Sequence, residues 1–299
     1  MLAAVIAWAG VGSVRAALAQ AWPFVPLLLL LEGARVPLET ITTRHLMGAA
    51  AKRLPLGVQL RAQAVFYAVA TVLPGGRLAG EVSKVALLSP HVGRLRAVAV
   101  AGASQATSLL ADACIGILAL VVGVAVLGSS VATLTLAGFA LACTAFAVLV
   151  VLALRSALPV KLLARFPRVL RSAVGYRRVV RVQPMVVPRA VLYLVVARML
   201  QIALLTVALF AVGAGFSPSL GTMTLSINMM ASAAADAVPG QLGPTDAALA
   251  LFAPSLGVAT AAMVSVSVIF HAVQLAWAAA FGAVGLLVPR VGRPRGAHG

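Results

Sequence analysis

The sequence predicts an all-α fold: a polytopic integral membrane helical bundle made of two inverted repeats, each carrying a broken or re-entrant helix hairpin. Three observations predict it. The 299 residues are 62% hydrophobic and only 10% charged, with a mean hydropathy of +1.08, far from the balance of a soluble domain. Apolar runs long enough to cross about 30 Å of hydrocarbon recur along the whole chain, and the alternating segments of a membrane β-barrel do not. Two runs are broken by Pro-Gly interruptions of the same design. We read 1–299 as a single membrane domain. Within it, 1–154 is the first repeat half, 155–189 a basic loop, 190–289 the second half, and 290–299 a basic tail.

Met1 to Ala9 lacks a basic leader and a cleavage site, so it reads as a short first helix rather than a signal peptide. An apolar helix follows from Pro23 to Thr43. Glu32, Arg35 and Glu39 lie on it at spacings of three and four, which puts them on one face as an ion-paired group. Arg44, Lys52, Arg53 and Arg61 mark a basic loop. Ala62 to Leu73 then gives about twelve apolar residues before the first break, too few to span. Glu81 to Leu88 is equally short and leads to Arg94 and Arg96. Two half-length helices flanked on both sides by basic residues predict a re-entrant hairpin entering from the cytoplasm.

Long spans are predicted over Ala97–Leu127 and Val131–Leu154, turning at Gly128-Ser129-Ser130, and over Ala190–Ala214 after the basic loop. Leu220 to Val238 is long enough to cross, yet it holds Asn228, the one Asn in the chain, and Asp236. An Asp at a helix centre costs about 2.5–3.5 kcal/mol, and each Leu or Val returns only about 0.3–0.6 kcal/mol. That helix must be shielded by other protein. Ala247 to Pro254 continues after the second break, and a last span covers Val258–Val288.

The net charge of +17 invites a nucleic-acid reading, but its placement argues otherwise. Nine of the 23 Lys and Arg lie between Arg155 and Arg189 with no acid among them, and most others sit in short loops. That is the pattern of cytoplasmic loops facing anionic lipid, so the expected partner is membrane phospholipid and no nucleic acid. The basic loop and the C-terminus are then cytoplasmic, in a bacterial-type inner membrane. The second hairpin must enter from the outer face, opposite to the first, which makes the halves inverted repeats. Cys114 and Cys143 lie inside apolar segments and suggest neither a disulfide nor a metal.

The candidate site is built on the breaks. The first reads Pro74-Gly75-Gly76-Arg77-Leu78-Ala79-Gly80-Glu81, and the second Pro239-Gly240-Gln241-Leu242-Gly243-Pro244-Thr245-Asp246. Each is Pro-Gly, five residues, then an acid, in a chain with six acids. Polar stripes at helical spacing flank them: Gln63, Tyr67 and Thr71 before the first, and Thr224, Asn228, Ser232 and Asp236 before the second. Ser104, Ser108 and Asp112 form another stripe, as do Ser267, His271 and Gln274, and Arg198 shares a face with Gln201. Small polar residues also serve as glue between membrane helices. Intramembrane Asp112, Arg198, Asp236 and Asp246 point instead to function, because each is costly to keep. Asp246 has an alternative reading as a helix cap after Gly243-Pro244, and Glu81 as a partner of Lys84.

The two break segments resemble the two signatures of the lysylphosphatidylglycerol synthase transmembrane region, also called the flippase-like integral membrane family. Pro74, Gly75, Gly80 and Glu81 match the first signature, and Pro239, Gly240, Gly243 and Asp246 the second. Gln241 stands where a second Gly is usual, Asp246 replaces Glu, and His271 occupies roughly the place of an expected Arg. The resemblance implies a protein that moves lipids between leaflets. The aminoacyl-transferase domain that often follows in the family is not in this sequence, so we expect no enzyme activity and no cofactor. A lipid-modifying synthase encoded separately is a possible partner.

The expected mechanism follows. Backbone amides at Gly75–Gly80 and Gly240–Gly243 would hold a phosphate, with Arg77, Lys84 and Arg198 neutralising it. Glu81, Asp236 and Asp246 would meet a cationic headgroup or carry a proton, relayed by Asp112 and His271. The competing expectations are a membrane enzyme acting on a lipid or polyprenyl phosphate, for which no catalytic motif speaks, and a non-catalytic partner of a synthase.

Overall fold

A computed structural model describes residues 2–52, 54–73, 75–155, 186–235, 238 and 241–287. Pro74, Asp236, Pro239 and Gly240, with most of the basic loop and the tail, lie outside the described residues. Among the described residues there are helices and no strand. In chain order they are α1 (Leu2–Ala9), α2 (Val11–Ala21), α3 (Val25–Met47), α4 (Ala49–Lys52), α5 (Leu56–Val72), α6 (Gly76–Val92), α7 (Arg94–Leu127) and α8 (Val131–Arg155). Then come α9 (Val186–Ala211), α10 (Pro218–Ala234), α11 (Pro244–Phe252) and α12 (Thr260–Leu287).

Five helical stretches are long and apolar enough to cross a membrane: Val11–Met47, Arg94–Leu127, Val131–Leu149, Val187–Ala211 and Thr260–Gly285. The long spans match the sequence expectation. The first hairpin does not match it in length. Its arms α5 and α6 have 17 residues each, roughly 25 Å, rather than half a span. α5 continues through Arg61, whose guanidinium does not end it but donates to the Gly285 carbonyl on α12 at 3.0 Å, while α6 starts at Gly76, ahead of Glu81, and runs on to Val92. The second hairpin is uneven, with 17 residues in α10 and 9 in α11.

Caps explain where the elements start. Ser217 accepts from the Leu220 amide at 3.2 Å ahead of Pro218, so α10 opens with a side-chain cap and a proline that lacks the orphan donor. Gly75 sits in the left-handed region at φ 71° and turns the chain into α6.

The core joins the two halves. Leu28 of α3, Ile115 of α7, Leu204, Leu205 and Leu209 of α9, Ile227 of α10, Leu249 of α11 and Met263 of α12 belong to one buried cluster. Large apolar side chains such as Trp22, Leu30, Val121, Leu134 and Leu141 remain exposed, the outer surface expected of a bundle solvated by lipid tails. The packing order has an exchange in it. The first-half helix α5 packs on α12 of the second half, and the second-half helix α10 packs on α7 of the first. Meanwhile α6 packs on α7 and α11 on α12, while α3 and α9 form the most extensive contact between the halves. Glycines permit the closest approaches: a Cβ on Gly80 would lie 2.9 Å from the Phe66 carbonyl, and one on Gly33 would run into Trp277.

Candidate functional site

Glu81 lies in the second turn of α6 and is 4% exposed, and neither carboxylate oxygen has a hydrogen-bond partner among the described residues. Lys84, one turn on and 3% exposed, holds its Nζ 3.4 Å from Glu81 Oε1, 3.5 Å from Thr43 Oγ1 and 4.3 Å from the Phe66 ring centre. The pairing foreseen for Glu81 is therefore there as an ion pair, but a loose one. The ammonium lines a small cavity with Thr40, Thr43, Met47, Gln59 and Gln63. Arg77 is half-buried, with its Nε shielded from solvent and unpartnered among the described residues.

The second break is built differently. Asp246 is fully buried at the third position of α11. Its Oδ2 accepts the Gly243 amide at 2.7 Å, and its Oδ1 accepts the Ser267 hydroxyl at 2.6 Å. His271 Nε2 stands 3.6 Å from Oδ1 and 3.0 Å from the Thr245 hydroxyl. Thr245 gives its single proton to the Gln241 carbonyl at 2.8 Å, so its oxygen is left to accept from His271 Nε2. Here the capping reading of Asp246 describes the geometry: the acid closes the first turn of its helix.

The expected phosphate-binding amides narrow for the same reason. The Gln241 amide donates to the Val238 carbonyl at 3.0 Å and the Gly243 amide to Asp246. In the first break, Gly76 donates to Leu73 and Ala79 to Gly75, both at 3.1 Å. Gly80 lies inside α6, where its lack of a side chain admits the Phe66 backbone rather than a ligand. The Gly76, Ala79, Gln241 and Gly243 amides are thus consumed by the turns that make the breaks.

Between the breaks, Arg198 of α9 holds Asp112 of α7, with Nε 2.9 Å and Nη2 2.8 Å from Oδ1, while Nη1 donates to Gln201 at 2.7 Å. The shared face of Arg198 and Gln201 holds, and its partner is the acid of the Ser104–Ser108–Asp112 stripe. Ser104 and Ser108 are buried. Asn228 is 7% exposed and Thr224 fully buried, and Asn228 Oδ1 and Thr224 Oγ1 have no partner among the described residues. Glu81 and Asp246 are held by different neighbours, α6 packing on α5 and α7, and α11 on α1, α10 and α12.

A further polar group was visible in sequence only in pieces. Arg35 is close to Glu32 and 3.4 Å from Glu39 on the predicted face of α3. Tyr67 donates to Glu32 Oε1 at 2.6 Å, and Gln63 donates to Glu39 Oε2 at 2.9 Å. The stripe before the first break thus lies against the charged face of α3. The two rows were readable separately; their contact depends on how α3 and α5 pack.

Comparison with known proteins gives one match. The family model described as "Lysylphosphatidylglycerol synthase TM region" covers residues 1–282. No curated protein and no solved structure matches.

Proposed function

Because the chain belongs to the lysylphosphatidylglycerol synthase transmembrane-region family, we propose that it carries a phospholipid-type headgroup between leaflets along a polar intramembrane path. The membership makes it an integral membrane protein of lipid handling; the translocation is our reading. The observation that carries it is Glu81, a carboxylate 4% exposed that, among the described residues, has no hydrogen bond and a single cation, 3.4 Å away. A buried carboxylate left without hydrogen bonds is costly, and it is maintained where a partner comes and goes.

A zwitterionic or lysyl headgroup brings an ammonium for Glu81 and a phosphate for Lys84 and Arg77. Arg198, held by Asp112, offers a second phosphate contact between α9 and α7. Asp236, Pro74, Pro239 and Gly240 complete the candidate set from outside the described residues. The exchanged packing of α5 and α10 on each other's long helix supports an inverted repeat. In this reading the 155–189 segment and the tail face the cytoplasm of a bacterial-type inner membrane, on the strength of their basic charge. The chain works without catalysis of its own and without a cofactor, and a separately encoded synthase supplies modified lipid.

The test is a proteoliposome assay with fluorescent phospholipid. Glu81→Ala should abolish translocation above the protein-free rate while expression and elution volume stay unchanged. Wild-type movement in Glu81→Ala liposomes would sink the proposal.

A further inference from the structure

We propose that Glu32 and Glu39 on α3 form a proton-binding site that holds one exchangeable proton, framed by Arg35, Tyr67 and Gln63. The argument is one of charge and of unmet hydrogen bonds. Two carboxylates share a single guanidinium, Arg35, which contacts Glu32 directly and stands 3.4 Å from Glu39. Tyr67 and Gln63 donate to them at 2.6 and 2.9 Å but bring no charge. One negative charge is therefore left over in a group whose Glu32 and Gln63 are 1% and 2% exposed.

The charged groups on the packed neighbours are spent elsewhere or stand away. On α9 and α7, Arg198 holds Asp112; on α12, His271 faces Asp246; on α5, Arg61 binds the Gly285 carbonyl. On α6, Lys84 pairs with Glu81. Arg44 and His45 of α3, Lys52 of α4, Arg94 and Arg96 of α7 and Arg189 of α9 form no ion pair with either acid. Among the described residues, Arg35 alone stands within 4.0 Å of Glu32 or Glu39.

An uncompensated carboxylate in such surroundings is costly, and a proton removes the charge. Glu32 Oε2 and Gln63 Oε1 are buried without a partner among the described residues. A calcium or magnesium ion asks for six or more oxygens, and two free ones fall well short, whereas a proton needs one. The Glu39 side chain is 16% exposed and the Glu32 side chain fully buried, which makes Glu39 the point of exchange. The site stands apart from the translocation reading, and its test requires no lipid movement.

The experiment is infrared difference spectroscopy of the full chain in phosphatidylcholine nanodiscs, titrated upward from neutral pH in H2O and D2O. Wild type should show a protonated-carboxyl stretch at neutral pH that shifts in D2O and disappears as pH rises. Glu32→Gln and Glu39→Gln should each lose the band, because the remaining carboxylate then pairs with Arg35. Glu81→Gln should keep it. If Glu32→Gln does not fold, Glu39→Gln at the more exposed position decides. A wild type with no band, or a band surviving Glu39→Gln, overturns the proposal. So does a bandless wild type that gains thermal stability on adding sodium, which would make the missing charge a metal cation.

Discussion

Asp246 and Glu81 share an offset from Pro-Gly, yet they are chemically unlike. The difference lies in where each helix starts: α6 begins at Gly76, two residues past Pro74, and α11 at Pro244, five past Pro239. The same spacing therefore puts Glu81 in a second turn, facing Lys84, and Asp246 in a first turn, where it satisfies the Gly243 amide and the Ser267 hydroxyl. Asp246→Ala should lower stability by about 1–3 kcal/mol, the sum of a lost cap and orphaned buried donors. Asp246→Asn, which keeps an acceptor oxygen, should lose less. Thermal unfolding in nanodiscs checks both, and equal losses would deny the cap its role. Offset from a break was legible in the sequence; the helix start that gives the offset its meaning was not, because several residues near each break are compatible with a first turn.

At the level of elements, the hairpins are set by close contact as much as by apolar surface. Gly80 lets α6 approach the Phe66 carbonyl of α5, and Gly221 lets α10 approach Thr206 and the Ile202 carbonyl of α9, the latter 3.0 Å from where a Cβ would lie. Gly80→Leu and Gly221→Leu should each destabilise by roughly 1–3 kcal/mol through overpacking. Gly57→Ala should not, since nothing lies within 4 Å of a Cβ there. Thermal unfolding of the three variants side by side is the measurement. The long spans were readable from hydropathy alone, since length and apolarity suffice for them. The arm α5 exceeds the apolar run that hydropathy gives before the first break, because Arg61 finds a carbonyl partner on α12 and does not end the helix.

Across the whole molecule, the Arg198–Asp112 pair connects α9 of the second half with α7 of the first. Breaking one side of a partly buried ion pair leaves the other charge without its partner; removing both charges leaves two neutral groups. Arg198→Gln should therefore cost more stability than the double change Asp112→Asn with Arg198→Gln, measured by thermal unfolding. A double variant as unstable as the sum of its singles would show that the two residues are not coupled.

The sequence by itself determined that the chain is a helical membrane bundle, which residues are its costly polar ones and where its two breaks fall. Hydropathy, charge placement and proline-glycine chemistry act locally and leave a linear record. Only the tertiary structure decided which polar residues meet. Glu32, Arg35 and Glu39 were legible as a face of α3, and Gln63 and Tyr67 as a stripe on α5, but their union depends on helix packing. The same packing turns Asp246 into a cap satisfied by Ser267 and leaves Glu81 with Lys84 as its sole charged neighbour among the described residues. The physical reason is common to all of these: a buried charge is defined by its neighbours from other helices, and spacing along one helix does not specify them.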